Sequence, residues 1–394
     1  MGNRVLKISC NDWKNASHDK RELSAYRELG EETAVVAKGN ISDKGRIETI
    51  DGFKVFRMST RPLGNNVPNF LNRFSSLFLW ARFVKKLHVD VITAHDIDAL
   101  LIAWMSTWNL SGHRPQLIYD SHEFEIERNV KRNKLQKHAV KILERFLIKK
   151  CIFSIMVNDN IAEEVCRIHK LKHKPVVVRN VAEKWDIQES ECKKIRCEFE
   201  RQLNIKKENP PIMLMYHGLL MAGRGIETLI KLVSSRDDMV AVILGNAHQQ
   251  EYYDSLIRLA KQLGGKERIL FHDAVPIEEL WKYVGAVDVG MILAPAICKN
   301  FLYSLPNKFF ENIQSETPII CPSYPAMKTL MDLYQIGITC DPNNLKDIEQ
   351  AVDHMKNDRV FYLSCKKNLK VAKEELCWNS EKEILKEAYK NYIL

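Results

Sequence analysis

Long apolar runs and paired cysteines are both missing from this sequence, and each absence excludes a class of protein. No segment approaches the roughly 18 consecutive apolar residues of a membrane-spanning helix. The ten cysteines never form Cys-x-x-Cys, and the closest two, Cys192 and Cys197, lack matching histidines, so we expect reduced thiols rather than a zinc knuckle. Met1 leads directly into the strand-like residues 4–9, which predicts neither a signal peptide nor a transit peptide and indicates a cytoplasmic protein.

The composition that remains is typical of a globular protein with two domains. The 394 residues are 45% hydrophobic and 28% charged, and a chain of this length exceeds one ordinary hydrophobic core. The first half carries the net charge of +9, because residues 1–190 hold 32 lysines and arginines against 23 acidic residues. A basic half is typical of proteins that contact nucleic acid, an anionic membrane or phosphorylated ligands.

Short apolar runs alternate with amphipathic stretches in both halves, which predicts an α/β protein with parallel sheets covered by helices. Predicted strands in the first half lie near residues 4–9, 33–37, 53–57, 90–94, 116–120, 152–157 and 175–178. A charged helical segment at 183–207 ends at a proline pair, and the second set of strands is predicted at 211–218, 239–244, 268–271, 287–292, 317–321 and 337–340. Helices are predicted at 20–29, 134–149 and 378–394, and a turn-rich connection at 40–52.

A glycine-containing loop connects a predicted strand to a predicted helix at residues 216–226. Gly218 would let the backbone approach a phosphate closely, and the N-terminus of the helix that begins at Ile226 would offer free N–H groups to an anion. Arg224 would add a forked cation at the same point. The pattern matches neither a Walker loop nor a dinucleotide fingerprint, so an ordinary strand–helix turn with an exposed arginine is the alternative.

A second candidate segment is the helix predicted to begin after Pro306. Lys308 and Glu311 are three residues apart and therefore lie on one face of that helix. A lysine there can bind phosphate oxygens, and a carboxylate one turn later can accept hydrogen bonds from the two hydroxyls of a ribose. An ordinary surface ion pair is the alternative. Both segments follow strands of one sheet, however, and such sheets bind ligands beyond the carboxyl ends of their strands.

Polar residues also follow two predicted strands of the first half. They are Ala94–Asp98, which includes His95 and Asp96, and Tyr119–Glu123, which includes His122 and Glu123. His122 could position or polarise a sugar hydroxyl or a phosphate, whereas local hydrogen bonds at a strand end are the simpler role for His95. The triplet Asp96–Ile97–Asp98 looks like the acidic motif that holds Mn²⁺ in other sugar-transfer enzymes, but we predict no metal there, because cations elsewhere can neutralise the phosphates.

Basic and aromatic residues alternate in two segments of the first half, at 70–86 and at 128–150. In the second of these, Leu135, Ala139, Ile142, Leu143 and Phe146 form a helical stripe beside a row of lysines. This mixture suits peripheral contact with an anionic bilayer, although a solvated face over an ordinary core helix explains it as simply. No recognised nucleic-acid-binding motif accompanies the charge, so we expect no nucleic acid partner.

Taken together, these segments resemble retaining glycosyltransferases of family 4. Residues 304–311, Ser-Leu-Pro-Asn-Lys-Phe-Phe-Glu, followed by Thr317–Ile320, are similar to the family's donor-site helix, and Arg224–Gly225 resemble its phosphate loop. Further likenesses are Asp19–Arg21, Asp120–Glu123, Val157–Ala162 and the closing helix at Trp378. Many members carry a glutamate eight residues before the position of Glu311, where this sequence has Tyr303.

The resemblance implies a GT-B fold, in which two Rossmann-like domains face each other across a cleft. The expected domains are 1–190 for the acceptor, 191–375 for the nucleotide-sugar, and a helix at 376–394 that crosses back to the first. Arg224, Lys308 and His122 are the implied catalytic residues, and His122 would line the sugar side. The implied donor-binding residues are Gly218, Arg224, Ala274, Val275, Tyr303, Ser304, Leu305, Asn307, Lys308 and Glu311. The residues expected on the acceptor side are His95, Asp96 and Glu123.

The function implied by the resemblance is transfer of a hexosyl group from a nucleotide-diphosphate sugar to a hydroxyl acceptor, with retention of anomeric configuration. We expect no cofactor and no metal, a UDP-sugar rather than a GDP-sugar, and a carbohydrate or lipid-linked acceptor in cell-surface polysaccharide or glycoconjugate assembly. The expected location is the cytoplasm, with peripheral contact to the inner face of the membrane. Two alternatives are a sugar-nucleotide epimerase of the same fold and a non-catalytic scaffold that binds nucleotides or membranes.

Overall fold

The computed structural model describes residues 2–108, 114–128, 131–206 and 208–394. Contacts divide the chain into two compact units. Unit 1 consists of Met1–Asn180 together with Glu381–Leu394, and unit 2 consists of Val181–Ser380. The chain therefore passes from unit 1 to unit 2 at 180/181, where the sequence had suggested 190/191, and returns at 380/381.

Unit 1 contains an eight-stranded sheet of order β3-β4-β2-β1-β5-β6-β7-β8. Its strands are β1 Arg4–Ser9, β2 Glu32–Gly39, β3 Lys44–Ile50, β4 Phe53–Ser59, β5 Val91–His95, β6 Gln116–Ser121, β7 Phe153–Met156 and β8 Val176–Val177. Neighbouring strands are parallel except for β3 and β4. The central strands β1 and β5 are buried almost throughout because helices cover both faces of the sheet.

The prediction of a turn-rich connection at 40–52 was wrong, because β3 occupies most of that range and pairs antiparallel with β4. This strand forms the edge of the sheet, and none of its residues is fully buried. An edge strand with polar residues such as Arg46 and Glu48 carries little apolar signal. Its β-structure comes from pairing with β4, and the Arg57 side chain of β4 donates to the Glu48 carboxylate.

The helices of unit 1 cover the sheet between its parallel strands. They are α1 Ser17–Glu28, α2 Asn69–Lys85, α3 Asp96–Ser106, α4 Lys134–Ile148 and α5 Asp159–His169. α4 begins at a capping box, in which the Asn133 side chain accepts from the Gln136 backbone and the Gln136 side chain accepts from Asn133. The Asn158 side chain caps α5 by accepting from the Ile161 backbone at 2.9 Å.

Unit 2 contains a six-stranded parallel sheet of order β11-β10-β9-β12-β13-β14. Its strands are β9 Ile212–His217, β10 Met239–Leu244, β11 Ile269–His272, β12 Val289–Met291, β13 Ile319–Pro322 and β14 Gly337–Cys340. Numbered within the unit, this is the order 3-2-1-4-5-6 of the doubly wound nucleotide-binding fold. The direction of winding reverses between β9 and β12, and a crevice opens at such a point beyond the strand ends.

Helices cover both faces of the second sheet and bury two hydrophobic clusters against it. They are α6 Glu189–Gln202, α7 Ile226–Ser234, α8 Gln250–Gln262, α9 Leu280–Val284, α10 Lys299–Leu302, α11 Asn307–Gln314, α12 Pro325–Tyr334, α13 Leu345–Asn357 and α14 Arg359–Glu375. The segment predicted as helical over 183–207 is helical only within α6, and its last residue, Lys207, lies outside the described residues.

The last helix, α15 Trp378–Tyr392, returns the chain to unit 1. Tyr389 is fully buried there, with its ring centroid 4.7 Å from that of Tyr26 in α1. Lys382 and Lys386 pair with Glu28 at the end of the same helix. Within the described residues, none of the helices combines the length and the apolar character needed to cross a membrane.

Candidate active site

The loops that follow β9 and β12 lie at the switch point of the second sheet. The loop after β9 runs from Gly218 to Gly225 and leads into α7, and the segment after β12 leads through α10 to α11. Because β9 and β12 are paired neighbours, the carboxyl ends of both strands open into the same crevice. Gly225 has a φ of 81°, and a Cβ there would lie 2.3 Å from the carbonyl oxygen of Leu293 beyond β12, so only glycine allows this close approach.

Lys308 projects from the first turn of α11 into this crevice. Its Nζ lies 3.6 Å from the centroid of the Tyr216 ring at the end of β9, and a Cβ on Gly218 would be 3.8 Å from the same Nζ. Burial and the neighbouring positive charge of Arg224 together lower the pKa of Lys308 to about 7, and the negative charge of Glu311 opposes part of this shift. The ammonium ion of Lys308 therefore packs on the Tyr216 ring and lies near the positive charge of Arg224. A bound anion would stabilise its charged form.

Arg224 supplies the second positive charge of the crevice. Its guanidinium carbon lies 5.7 Å from the centroid of the Phe301 ring in α10, and its effect on the pKa of Lys308 shows that the two cations are close. The loop after β9 thus contributes one cation and α11 contributes the other. The structure brings together these two sequence-predicted residues, and within the described part of the chain Lys308 forms no salt bridge with Glu311 or another acid.

Glu311 lies one turn further along α11, and its Oε2 is 2.9 Å from Nε2 of His217. His217 is buried at the end of β9, so it fixes the carboxylate on the crevice side of the helix. His217 lies within the predicted loop segment 216–226, where only Gly218, Arg224 and the helix N-terminus were predicted to meet a ligand. A histidine at a strand end beside the conformationally free Gly218, whose φ is 112°, is the signal that was available.

The remaining predicted donor residues lie on the segments around this crevice. Ala274 and Val275 follow β11, and the Ala274 backbone donates to Oδ1 of Asn246 at 3.1 Å. Tyr303 caps the C-terminus of α10 and Ser304 follows it, and the Ser304 hydroxyl donates to the carbonyl of Phe301. Leu305 is half-buried before the helix, and Asn307 is the exposed first residue of α11.

Unit 1 collects its predicted residues in a second site at the ends of β1, β5 and β6. Nε2 of His122 lies 3.0 Å from Oδ2 of Asp120, and its backbone N–H donates to Oδ1 of Asp96. Its ring packs 4.0 Å from that of His95, centroid to centroid. Glu123 and Asp96 both pair with Arg128, at 3.2 and 2.7 Å. His122, His95, Asp96 and Glu123 are therefore joined in one network.

His95 makes the strand-end contacts that its position suggested. Its Nδ1 lies 2.7 Å from Oδ1 of Asp19, and its Nε2 lies 3.4 Å from Oδ2 of Asp96. Burial would lower the pKa of His95, but the two carboxylates outweigh burial and raise it to about 10. His95 is thus a charged structural partner of Asp19 and Asp96 near neutral pH.

A buried lysine lies beneath this network and was missed by the sequence analysis. Nζ of Lys7, in β1, lies 2.6 Å from Asp120 and 3.2 Å from Asp19, and it also donates to Glu22. All four side chains are essentially inaccessible to solvent. Burial alone would lower the pKa of Lys7, and the carboxylates outweigh it and raise that pKa. The available signal was a lysine inside an otherwise apolar strand.

Four residues of unit 1 could also act as metal ligands. The possible ligand atoms of His18, Asp19, Asp120 and His122 all lie within 4.8 Å of one another. Lys7 already contacts both carboxylates, and the charged His95 contacts Asp19, so the negative charge of the group is balanced. The donor set therefore fits a divalent cation poorly.

The fold is the GT-B fold, with two Rossmann-like domains. The structure matches that of sucrose-phosphate synthase from Thermosynechococcus elongatus with a TM-score of 0.74, at 15% identity and with 99% of this chain and 98% of that chain covered. It matches Anabaena HepE in complex with UDP and glucose with a TM-score of 0.73, at 15% identity over 99% and 100% of the two chains.

Comparison of sequences also finds similarity to glycosyltransferases. Residues 197–372 match the family model of glycosyl transferases group 1. An uncharacterized glycosyltransferase of Methanocaldococcus jannaschii is 25% identical over 361 residues, which cover 88% of this chain and 86% of that protein. The second half of the chain is therefore similar to the glycosyl transferases of group 1, and most of the chain is similar to a glycosyltransferase.

The lowered pKa of Lys308 predicts a pH-dependent affinity for diphosphate. Below about pH 7 the Lys308 side chain is already protonated in the free protein. Above pH 7 it is mostly neutral, so the protein must take up a proton when it binds the anion. Bound diphosphate raises the pKa of Lys308 again. The Kd for UDP should therefore rise roughly tenfold per pH unit as the pH rises above 7. Calorimetry at alkaline pH, in two buffers with different ionisation enthalpies, should show uptake of nearly one proton.

The Lys308→Met variant provides the control for this prediction. It should bind UDP more weakly than the wild type at neutral pH, and without proton uptake. Equal proton uptake by the variant and the wild type would mean that another group titrates.

Proposed function

We propose that the protein is a retaining glycosyltransferase of family 4 that transfers a hexosyl group from a UDP-sugar to a hydroxyl acceptor without a metal ion. The observation that carries this proposal is the crevice between β9 and β12, where Arg224, Lys308 and Glu311 converge. Two cations and one acid are the groups that a nucleoside diphosphate requires. The likeness to HepE, which was crystallised with UDP and with UDP-glucose, supports the choice of nucleotide.

In the proposed reaction, the bond between the anomeric carbon and the diphosphate oxygen breaks while the acceptor hydroxyl forms a bond to that carbon on the same face. Negative charge develops on the departing diphosphate, and Arg224 and Lys308 stabilise it where it develops. The proton of the acceptor hydroxyl passes to a phosphate oxygen, so no protein nucleophile is required. Glu311, held by His217, accepts hydrogen bonds from the ribose hydroxyls.

The other donor contacts in this proposal come from the family resemblance. Backbone groups of Ser304 and Leu305 touch the sugar and phosphates, and the nucleobase rests near Ala274 and Val275. Tyr303 stands where related enzymes hold a sugar hydroxyl with a carboxylate, so the phenol takes over that contact. Gly218 and Asn307 border the phosphates from the ends of β9 and α11.

Unit 1 supplies the acceptor groups in this proposal. His122 is half-buried and held by Asp120, so its orientation is fixed while part of the ring stays accessible to a sugar hydroxyl. His95 and Asp96 position His122 from below, and Glu123 is sufficiently exposed to meet an acceptor. The acceptor would be a carbohydrate or a lipid-linked sugar used in cell-surface polysaccharide or glycoconjugate assembly.

A product assay tests the reaction class. Incubation with UDP-glucose and a panel of hydroxyl acceptors should release UDP and give a glycoside that retains the anomeric configuration, in the presence of a metal chelator. An epimerase would instead convert the sugar nucleotide alone into a second sugar nucleotide. A non-catalytic scaffold would bind UDP without hydrolysis or transfer under any condition.

Unit 1 also has faces that suit an anionic membrane surface, and we propose peripheral contact there on the cytoplasmic side. Phe70, Phe74 and Phe78 are spaced by one helical turn on α2 and are 55–76% exposed. On α4 the predicted apolar stripe faces solvent rather than the core, because Leu135 and Ile142 are more than half exposed. Flotation with anionic vesicles should carry the protein at low salt, and failure to float would contradict the contact.

A further inference from the structure

A separate pocket of about 430 Å³ lies in unit 1, at the amino ends of β7 and β8. Its wall comes from the segment between α4 and β7, from the segment between α5 and β8, and from Tyr392 at the end of α15. Its volume falls in the range of small-molecule sites. The predicted acceptor residues follow the carboxyl ends of β5 and β6, so the pocket lies at the opposite end of the sheet from them.

The charged side chains that line the pocket are all basic. Lys149, Lys170, Lys172, His173 and Lys174 line it, and its described lining contains no aspartate or glutamate. The positive charge of Lys174 is balanced by two carboxylates of α5 that do not line the pocket, because its Nζ lies 2.8 Å from Asp159 and 3.1 Å from Glu163. Lys149, Lys170 and Lys172 line the pocket and are exposed to solvent.

The floor of the pocket is apolar. Phe153 and Tyr392 stack with ring centroids 5.2 Å apart, and Tyr392 is 41% exposed. Ile152 is likewise partly exposed, and Leu171 and Val176 complete the apolar surface. A free inorganic anion would use the lysines but leave this surface in contact with water. A ligand with both a phosphate and an apolar portion would cover both.

We propose that this pocket binds the phosphate head group of an anionic lipid, with the first part of its apolar chain on the aromatic floor. The pocket follows directly from α4, whose exposed apolar side chains include Phe146, seven residues before Phe153. The lipid is an anchor rather than the sugar acceptor, because the pocket is at the wrong end of the sheet for transfer. This inference extends the proposed membrane contact from a diffuse surface to a discrete site.

Titration with a water-soluble short-chain lipid tests the pocket without a membrane. Dihexanoyl phosphatidate is titrated by calorimetry into the full-length wild type and into Lys170→Asn/Lys172→Ser. Asparagine is chosen because Lys170 has a φ of 52°, a left-handed conformation that asparagine tolerates. The matched control is Lys38→Ser/Lys44→Ser, which removes two exposed lysines from the opposite edge of the same sheet.

The pocket variant should lose at least about tenfold in affinity, and the control should stay within about twofold of the wild type. Inorganic phosphate and zwitterionic dihexanoyl phosphatidylcholine should both bind more weakly than the phosphatidate. Equal binding by the wild type and the pocket variant would overturn the proposal, as would inorganic phosphate that binds as tightly as the phosphatidate. If the wild type binds the soluble lipid in the pocket but does not float with vesicles, the pocket stands and the proposed membrane contact fails.

Discussion

Replacing Lys308 by alanine should lower kcat/KM at least about a hundredfold while leaving the protein folded. The ammonium ion stabilises charge that develops on the departing diphosphate, and loss of one such preorganised group costs about 10²–10³ in rate. The fold should tolerate the change, because burial lowers the pKa of Lys308 to about 7 and the charged form is therefore held at a cost. Steady-state release of UDP, with a thermal melt of each variant, measures both effects.

Arg224→Ala should show a loss of similar size, and Arg224→Lys should recover only part of it, because lysine lacks the planar fork that grips two phosphate oxygens. Lys328→Ala is the matched control, since it removes an exposed lysine of α12 whose ion-pair partner is Asp332, one turn along the same helix. Near-normal turnover in either site variant would place the leaving-group site elsewhere.

Replacing Lys7 by methionine should destabilise the protein by about 3–5 kcal/mol, the effect expected when one partner of a buried ionic group is removed. Methionine matches the lysine in length but leaves Asp19, Glu22 and Asp120 buried without their common cation. Urea unfolding, followed by circular dichroism, measures the difference. Lys38→Met, at an exposed position on the neighbouring strand β2, is the control for loss of a lysine in the same sheet.

The loss of unfolding free energy caused by Lys7→Met should also depend on pH, which provides a second measurement. Burial, with the neighbouring carboxylates, already raises the pKa of Glu22 to about 7 in the wild type, although Lys7 opposes the shift. A carboxyl group with a raised pKa in the folded state favours folding at low pH and loses that contribution as the pH rises through the folded pKa. The Lys7→Met deficit should therefore be smaller at mildly acidic pH than above pH 7. A variant as stable as the wild type at both pH values would mean that the network contributes no net stability.

The donor site was predictable from the sequence because its parts are local. Lys308 and Glu311 are three residues apart on one helix, and Arg224 lies in a loop bounded by glycines, so each piece is visible in a short window. The parallel strands of both sheets were predicted for a similar reason, since strands covered on both faces are continuous apolar runs. The GT-B fold follows from that alternation together with the family likeness.

What the sequence analysis missed depends on residues that are distant in the chain. Lys7 and Asp120 are 113 residues apart, and only the pairing of β1 with β5 and of β5 with β6 brings them together. The antiparallel strand β3 is specified by its partner β4 rather than by its own polar residues. The sequence left open whether the stripe on α4 packs in a core or faces a membrane, because periodicity gives the width of an apolar face but not what covers it.

The return of α15 to unit 1 has a consequence for how the chain is synthesised. The first 180 residues leave the ribosome long before Leu385 and Tyr389, and these two side chains are completely enclosed in the finished unit. Until they arrive, Tyr26 lacks the ring against which it packs, and Glu28 lacks both of its lysine partners. A fragment that stops at the end of the first 180 residues would expose apolar surface around Tyr26, so we expect it to be less stable than the complete unit.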